Sequence, residues 1–244
     1  MPARAGAPPS DPDPAVGARA SEGASAVARL DEVTRLLRRE CPWDREQDER
    51  SIVPHTVEEA YELADAAHAG DDEKLMDELG DVLFQVHFLA LLLEERGAGD
   101  LAAVAERCRE KLIRRHPHVF GEVEVSGAGE VLANWDAIKR GEDGREPGVF
   151  GEVPENLPGL LYARKLLRRA SSAGRTAART PEALDRVQAE AERLRGDPGR
   201  DEGFAATGRL LLAAVEAARA AGVDPELALR SAAAGFREEV QAGG

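Results

Sequence analysis

The chain has 244 residues, a formal net charge of −14 and only 4% aromatic residues. A chain this acidic does not suit a nucleic-acid polymer as partner, because phosphate-backbone binding needs a local excess of Lys and Arg. No apolar run approaches the length of a transmembrane helix, and the two cysteines, Cys41 and Cys108, form no CxxC motif. With no run of alternating β-branched residues, the chain is predicted to be all-α. The lack of a membrane span and of a cysteine framework predicts a cytoplasmic protein without a membrane partner.

The N-terminal residues 1–25 are rich in Pro, Ala and Gly and lack the apolar segment of a signal peptide. This composition predicts a disordered tail. From Ala26 to Leu37 apolar residues recur at helical spacing, which predicts an amphipathic first helix that ends at Cys41 and Pro42.

The next segment is predicted to form two antiparallel helices joined by a short Gly-Asp-Asp turn. Thr56 followed by Glu59 has the spacing of a capping box, so the first helix should begin near Thr56 and end at Gly70. Either aspartate of the turn can cap the second helix, and Gly97 can end it.

Each of these two helices carries a pair of acidic residues at i, i+3 spacing, namely Glu59 with Glu62 and Glu78 with Asp81. Three residues advance about 300° round a helix, so each pair lies on one face. On the first helix the acids could simply be a solvated face, but the second is apolar nearly all round over 82–93, which is typical of a buried helix. The hairpin would therefore bring four carboxylates together at the mouth of a core.

Carboxylates held together repel each other, which makes a bound cation the natural prediction for this cluster. The repulsion is roughly 1 kcal/mol per pair at 4 Å in water and about 4 kcal/mol at an effective dielectric of 20. Oxygen-only ligands favour Mg²⁺ or Mn²⁺, whereas di-iron bundles use Glu-x-x-His, which this segment lacks. Mg²⁺ held by few protein groups usually also binds substrate phosphates, which indicates nucleotide chemistry.

Two motifs in this hairpin, EEAYE at 58–62 and DELGDVLFQ at 77–85, resemble the MazG family of nucleoside triphosphate pyrophosphohydrolases, within the all-α NTP pyrophosphatase superfamily. The resemblance extends to CPWDREQ at 41–47, KLIRRHPHVFG at 111–121 and ANWDAIK at 133–139. It implies hydrolysis of a nucleoside triphosphate to the monophosphate and pyrophosphate, with Mg²⁺ as cofactor and Mn²⁺ as a possible substitute. It also implies a homodimer.

The resemblance assigns the roles of catalytic residues and metal ligands to Glu59, Glu62, Glu78 and Asp81. Glu58 is adjacent and could serve as general base, but on the helical wheel it points away from Glu59.

Candidate contacts to the substrate lie on three further segments. Lys74 is on the same helix face as Glu78, where the family tends to carry a lysine that contacts substrate. Trp135 is assigned to stacking on the base by resemblance only. Trp43 is either a packing anchor for its turn or a wall of the nucleotide pocket.

Asp100 can cap a fourth helix, which is predicted to close a four-helix bundle. Arg107, Lys111 and Arg114 recur on it at i, i+4 and i+7 and form one stripe. These cations either complement the C-terminal end of the helix or contact substrate phosphates. His116 and His118 flank Pro117, and this pattern favours a turn over a metal site.

The C-terminal region again has helical periodicity and resembles the second module of two-module MazG proteins, most clearly in GVDPELAL at 222–229. Reading back from that anchor places Glu190 and Arg193 at the first acidic pair and Ala206 and Arg209 at the second. Because an arginine cannot ligate Mg²⁺, this module is predicted to have lost its site and kept a structural or dimerising role.

The sequence thus predicts a disordered tail over 1–25, a MazG-like catalytic module over 26–120, a connector with one short helix over 121–158 and a degenerate helical module over 159–244. The predicted function is Mg²⁺-dependent nucleoside triphosphate hydrolysis in nucleotide-pool housekeeping. One alternative is a non-catalytic helical scaffold whose acids merely solubilise it. Another is hydrolysis of a specialised metabolite that contains a pyrophosphate.

Overall fold

The computed structural model describes residues 14–142, 148–151, 153–154, 156–175 and 180–243, with the backbone alone for 14–20 and 140. The described residues form eleven α-helices and no strand, which confirms the all-α class. None of these helices combines the length and the apolar character that crossing a membrane requires. The helices are α1 (Pro14–Glu40), α2 (Pro42–Glu46), α3 (Glu49–Ala69), α4 (Asp72–Glu95), α5 (Leu101–Arg115), α6 (Pro117–Phe120), α7 (Ala128–Arg140), α8 (Gly159–Ser172), α9 (Thr180–Arg195), α10 (Arg200–Ala220) and α11 (Pro225–Ala242).

The chain divides into two compact units, Met1–Cys108 and Arg109–Gly244, with the boundary inside α5. In the first unit α3 packs extensively along α4, and α1 packs against α2 and α4. In the second unit α9 packs extensively along α10, while α8 contacts α7, α10 and α11. Each unit is therefore organised around one long helical pair.

Helix α1 starts earlier than the sequence predicts. It begins at Pro14, so its first turns occupy part of the segment predicted to be a disordered tail, and residues 1–13 lie outside the described residues. Proline suits the first turn of a helix, and the following segment contains several alanines, the strongest helix formers. The helix ends at Glu40, as predicted.

Helix α3 also starts earlier than predicted, at Glu49 rather than near Thr56. Its cap is Asp48, whose carboxylate accepts a hydrogen bond from the backbone N–H of Ser51 at 2.9 Å. The Ser51 hydroxyl in turn accepts the backbone N–H of Asp48 at 2.9 Å, which completes a reciprocal capping box. The hydroxyl of Thr56 instead donates to a carbonyl inside the helix, so the prediction of a cap at Thr56 is wrong.

This longer α3 contains Pro54 in its interior, and packing explains why the helix tolerates it. A proline inside a helix costs about 3 kcal/mol or more. The first turns of α3 carry Ile52, which is 1% exposed and packs with Phe88 and Leu92 of α4 in the core. Burial of one such side chain stabilises by about 1.5–3 kcal/mol, and the cap adds about 1 kcal/mol, so together they offset the proline.

The remaining helix ends of this unit follow the local signals. Gly70 ends α3 in the left-handed conformation with φ of 70°, and Asp71 caps α4 by accepting a backbone N–H at 3.0 Å. Asp100 caps α5 in the same way at 2.7 Å. These predictions are confirmed.

Helix α5 is not among the helix pairs that pack extensively in the described part of the chain. The helix itself forms where predicted. On α4, the apolar side chains of Leu79, Leu83 and Val86 remain partly exposed. These side chains follow each other at i, i+4 and i+7 and form one apolar stripe.

In the second unit the four predicted C-terminal helices form as α8 to α11, and the predicted connector contains α7. Helix α7 is attached to α8 by a buried ion pair. Asp136 is 4% exposed, and Arg168 donates to both of its carboxylate oxygens at 2.7 and 2.6 Å.

Candidate metal centre

Three of the four predicted carboxylates meet between α3 and α4. Glu59 on α3 and Glu78 and Asp81 on α4 each offer one oxygen, and these oxygens lie within 4.8 Å of one another. Glu78 is 6% exposed, Glu59 is half-buried and Asp81 is exposed, so the group extends from the helix interface to the surface. The i, i+3 spacing on α4 and the packing of the two helices produce this arrangement.

Glu62, the fourth predicted ligand, lies outside that group. It is exposed and sits one turn further along α3 than Glu59, towards the hairpin turn. Its negative charge nevertheless acts on Glu59, as the pKa of that residue shows.

The pKa of the Glu59 carboxyl is raised above its usual range. Burial is the largest cause, followed by the negative charges of Asp81, Glu62 and Glu78. The cluster thus opposes its own ionisation, and a cation at this position would relieve both effects. An all-carboxylate donor set is also the type that Mg²⁺ or Mn²⁺ prefers, so the residues present fit such an ion.

The predicted phosphate contacts have different surroundings. Lys74 is exposed in the first turns of α4, one turn before Glu78, and Arg107 is exposed on α5. Lys111 and Arg114 belong to the second unit, where Arg114 donates to Glu142 at 2.8 Å. The predicted contacts of these four cations with substrate stay predictions.

Trp135 also belongs to the second unit and has two cationic or aromatic neighbours. The Arg115 guanidinium lies 5.5 Å from the centre of the indole ring, and the His116 ring lies 4.8 Å away in an edge contact. Glu142 binds both Arg114 and Arg115, and these arginines, Arg115 first, lower the pKa of Glu142 to about 2. A role of Trp135 in base stacking remains a prediction.

The predicted turn at His116 forms, since this residue precedes the short helix α6 and its Nδ1 lies 2.6 Å from the Leu112 carbonyl oxygen. Its ring is 5.5 Å from that of His118.

Two residues next to the cluster were not singled out from the sequence. His55 lies four residues before Glu59, and its ring is in edge contact with Trp43 of α2, with ring centres 5.8 Å apart. Gln85 lies four residues after Asp81, is 6% exposed, and has a buried side-chain oxygen without a hydrogen-bond partner among the described residues. Their i±4 spacing from the predicted ligands is the sequence signal that could have identified both.

In the second unit, an arginine occupies the position that the sequence analysis aligned with Asp81. Arg209 of α10 donates to Glu190 of α9 at 3.0 Å and to Glu202 at 2.8 Å. These two carboxylates, Glu202 first, raise the pKa of Arg209. Ala206, at the other position of that pair, is fully buried. A guanidinium therefore supplies the positive charge next to these carboxylates, and the loss of a metal site from this module stays a prediction.

Comparisons with known proteins place these features in a family context. Residues 47–120 match the model of the MazG nucleotide pyrophosphohydrolase domain. The chain is 37% identical over 201 residues to a nucleoside triphosphate pyrophosphohydrolase of Escherichia coli K12, an alignment that covers 79% of this chain and 76% of that protein. It is 37% identical over 199 residues to the nucleoside triphosphate pyrophosphohydrolase/pyrophosphatase MazG of Thermotoga maritima, covering 81% and 76%. It is also 39% identical over 213 residues to an uncharacterized 26.1 kDa protein of Streptomyces cacaoi, covering 86% and 79%.

Proposed function

Because the chain belongs to the MazG family of nucleotide pyrophosphohydrolases, we propose that its α3–α4 hairpin is a Mg²⁺-dependent active site. The chain is a hydrolase that acts on phosphoric anhydrides and converts nucleoside triphosphates to monophosphates and pyrophosphate. The proposal concerns which residues perform this reaction and with which ion.

The observation that carries the proposal is the convergence of Glu59, Glu78 and Asp81. Three carboxylates with mutual repulsion and oxygen-only chemistry form a suitable cradle for Mg²⁺, with Mn²⁺ as a possible substitute. Glu62 is included as a fourth ligand because it is the next acidic residue on the same face and already acts electrostatically on Glu59.

In this proposal, both the acidic residues of the hairpin and the nearby Lys74 contribute to substrate binding. When bound, Mg²⁺ would offset the phosphate charge and polarise the phosphoryl group under attack. The four acidic residues would hold that ion, and we propose that Lys74, which is exposed one turn before Glu78, donates to phosphate oxygens. Glu58 is exposed, and its carboxylate lies 3.2 Å from His55 Nδ1, so this acid is not assigned the role of general base.

Four further residues are proposed as substrate contacts on sequence grounds alone. Arg107, Lys111 and Arg114 are assigned to phosphate oxygens from their spacing on α5, and Trp135 is assigned to the base from the family resemblance. For Arg114 this requires sharing or exchanging its ion pair with Glu142.

The proposal is tested by measuring pyrophosphate release from a mixture of nucleoside triphosphates. We expect release with added Mg²⁺ or Mn²⁺ and at least about a 100-fold loss when EDTA removes the ion, since weakening metal support alone costs 10- to 100-fold. A protein that releases no pyrophosphate from nucleoside triphosphates with either ion would favour the scaffold alternative. Activity confined to another pyrophosphate-containing metabolite would retain the site but change the substrate.

We also propose that two copies of the chain form a dimer through the exposed apolar stripe Leu79, Leu83 and Val86. Leu79 is 52%, Leu83 39% and Val86 38% exposed, and burial of such a continuous apolar stripe against a partner would stabilise it. A second copy supplies the same stripe through a twofold, self-complementary interface.

Replacing Leu83 by Glu should therefore shift the protein from dimer to monomer in sedimentation velocity. Phe236→Glu is a matched control, because Phe236 is also exposed but lies on α11. A wild-type chain that sediments as a monomer at tens of micromolar would contradict the proposed dimer.

Housekeeping of the cytoplasmic nucleotide pool is the role we propose for this reaction. The binding partner that we propose is a nucleoside triphosphate, and we propose neither a nucleic-acid polymer nor a membrane as a further partner.

A further inference from the structure

We propose that an arginine-lined cavity between α1, α2 and α4 binds a small inorganic polyanion of the pyrophosphate class. The cavity has a volume of about 510 Å³, within the usual range of ligand pockets, and its lining residues all belong to the first unit. The residues that line it are Arg35, Arg38 and Arg39 of α1, Arg45 of α2, and Leu91 and Glu95 of α4.

This cavity is separate from the acidic cluster of the hairpin. Glu95 follows Asp81 by fourteen residues on the same helix, which corresponds to about 21 Å along the helix axis. An anion bound in the cavity therefore does not occupy the proposed active site, and its binding does not depend on the reaction at the hairpin.

Two of the four arginines form fixed walls. Arg35 donates to both carboxylate oxygens of Glu94, at 2.9 and 2.6 Å, and its Nε donates to Asp31 at 2.7 Å. Arg38 donates to both oxygens of Glu95 at 2.8 Å. These ion pairs offset the charge of the two guanidinium groups and hold them in place, so the cavity is preorganised before a ligand binds.

Arg38 also positions the third arginine. It donates to the backbone carbonyls of Asp44 at 2.6 Å and Gln47 at 3.0 Å, which lie on either side of Arg45 in the chain. These bonds hold α2 at the end of α1 and place Arg45 at the cavity. The Arg45 side chain is exposed and has no ion-pair partner among the described residues, so its charge is available to a ligand.

Arg39 is the second available cation. Its partner within the described part of the chain is the neighbouring Glu40, and the two side chains are 66% and 65% exposed. Such an exposed pair contributes little to stability, so a multivalent anion can replace it. The dipole of α1 favours a cation at Arg39 without any ligand, but it does not explain Arg45 on a different helix.

The lining of the cavity also indicates the kind of ligand. Guanidinium groups are the preferred partners of phosphate oxygens, and two available cations match an anion with two or more adjacent negative charges. None of the described lining residues is aromatic, and Leu91, the apolar residue among them, is 7% exposed. The cavity thus offers no surface on which a base could stack, which favours pyrophosphate itself over a nucleotide.

Calorimetric titration of the full chain with inorganic pyrophosphate in EDTA tests the proposed site. Without a metal ion the carboxylates of the hairpin repel anions, so binding under these conditions reports the arginine cavity. We expect one saturable site per chain with a dissociation constant below about 1 mM. Arg39→Gln/Arg45→Gln should raise this constant at least about tenfold through the loss of charged hydrogen bonds, and both side chains are exposed, so the fold should be kept.

Arg193→Gln/Arg195→Gln is a matched control, because these two arginines of α9 are also exposed and their replacement changes the net charge by the same amount. This control and Lys74→Gln, which alters the hairpin, should both bind pyrophosphate within about twofold of wild type. Binding without saturation, an equal loss in both double variants, or a loss in Lys74→Gln would overturn the proposed site.

A nucleoside diphosphate distinguishes a free inorganic anion from the phosphates of a nucleotide. It should bind no more tightly than pyrophosphate, and an affinity more than about tenfold higher would overturn the assignment to a small inorganic anion. Failure of the proposed function would appear differently, as wild type that releases no pyrophosphate from nucleoside triphosphates but still binds added pyrophosphate in EDTA.

Discussion

Asp81→Asn should reduce pyrophosphate release by more than about 100-fold, while Glu190→Gln should leave turnover close to wild type. Asp81 belongs to the carboxylate group of the first unit, whereas Glu190 is paired with an arginine in the second. Losing a residue that supports a metal ligand costs 10- to 100-fold, so losing a ligand itself should cost at least as much.

The measurement is a side-by-side comparison of pyrophosphate release, with folding checked by circular dichroism. Both substitutions change one carboxylate to the isosteric amide, so the volume of the side chain is matched. Glu190→Gln removes one of the two charged partners of Arg209, and its effect should appear as a small loss of stability rather than of activity. If Glu190→Gln were inactive and Asp81→Asn active, the catalytic module would be the C-terminal one.

Mg²⁺ should raise the free energy of unfolding of the wild-type protein by about 2.7 kcal/mol at a hundred times its dissociation constant. The physical reason is that a ligand which binds only the folded state shifts the folding equilibrium. In the double variant Glu59→Gln/Glu78→Gln this gain should disappear, because two of the three converging carboxylates have lost their charge.

Thermal melting in Mg²⁺ and in EDTA measures both effects. In EDTA the double variant should melt at a higher temperature than wild type, since removing two charges relieves the repulsion that raises the pKa of Glu59. Glu62→Gln provides a graded comparison and should lose less of the Mg²⁺-dependent gain, because Glu62 lies outside the converging group. Equal melting of wild type in Mg²⁺ and EDTA would remove the cation site.

Local chemistry explains why most helix ends were predictable. Gly70, Asp71 and Asp100 act on backbone groups within four residues, so their effects need no knowledge of the fold. The start of α3 was mispredicted because Thr56 and Glu59 have the spacing of a capping box. The helix instead continues through Pro54, and the cost of this proline is offset by the burial of Ile52. That burial depends on Phe88 in another helix, and such a contact cannot be read from local spacing.

Helical periodicity also identified which faces of α3 and α4 carry the candidate site, but not which acidic residues converge there. The i, i+3 spacing places Glu59 and Glu62 on one side of α3 whatever the fold. How far α3 is rotated and shifted against α4 decides which of them meets Glu78, and in the structure it is Glu59.

The sequence by itself determined the all-α class and the two acidic pairs of the α3–α4 hairpin. These properties follow from residue identity and helical spacing. Only the tertiary structure decided that Arg209 pairs with Glu190, and that Trp43 of α2 meets His55 of α3. Such contacts join separate helices, and the packing of apolar faces sets their distances, which the spacing of residues along one helix does not specify.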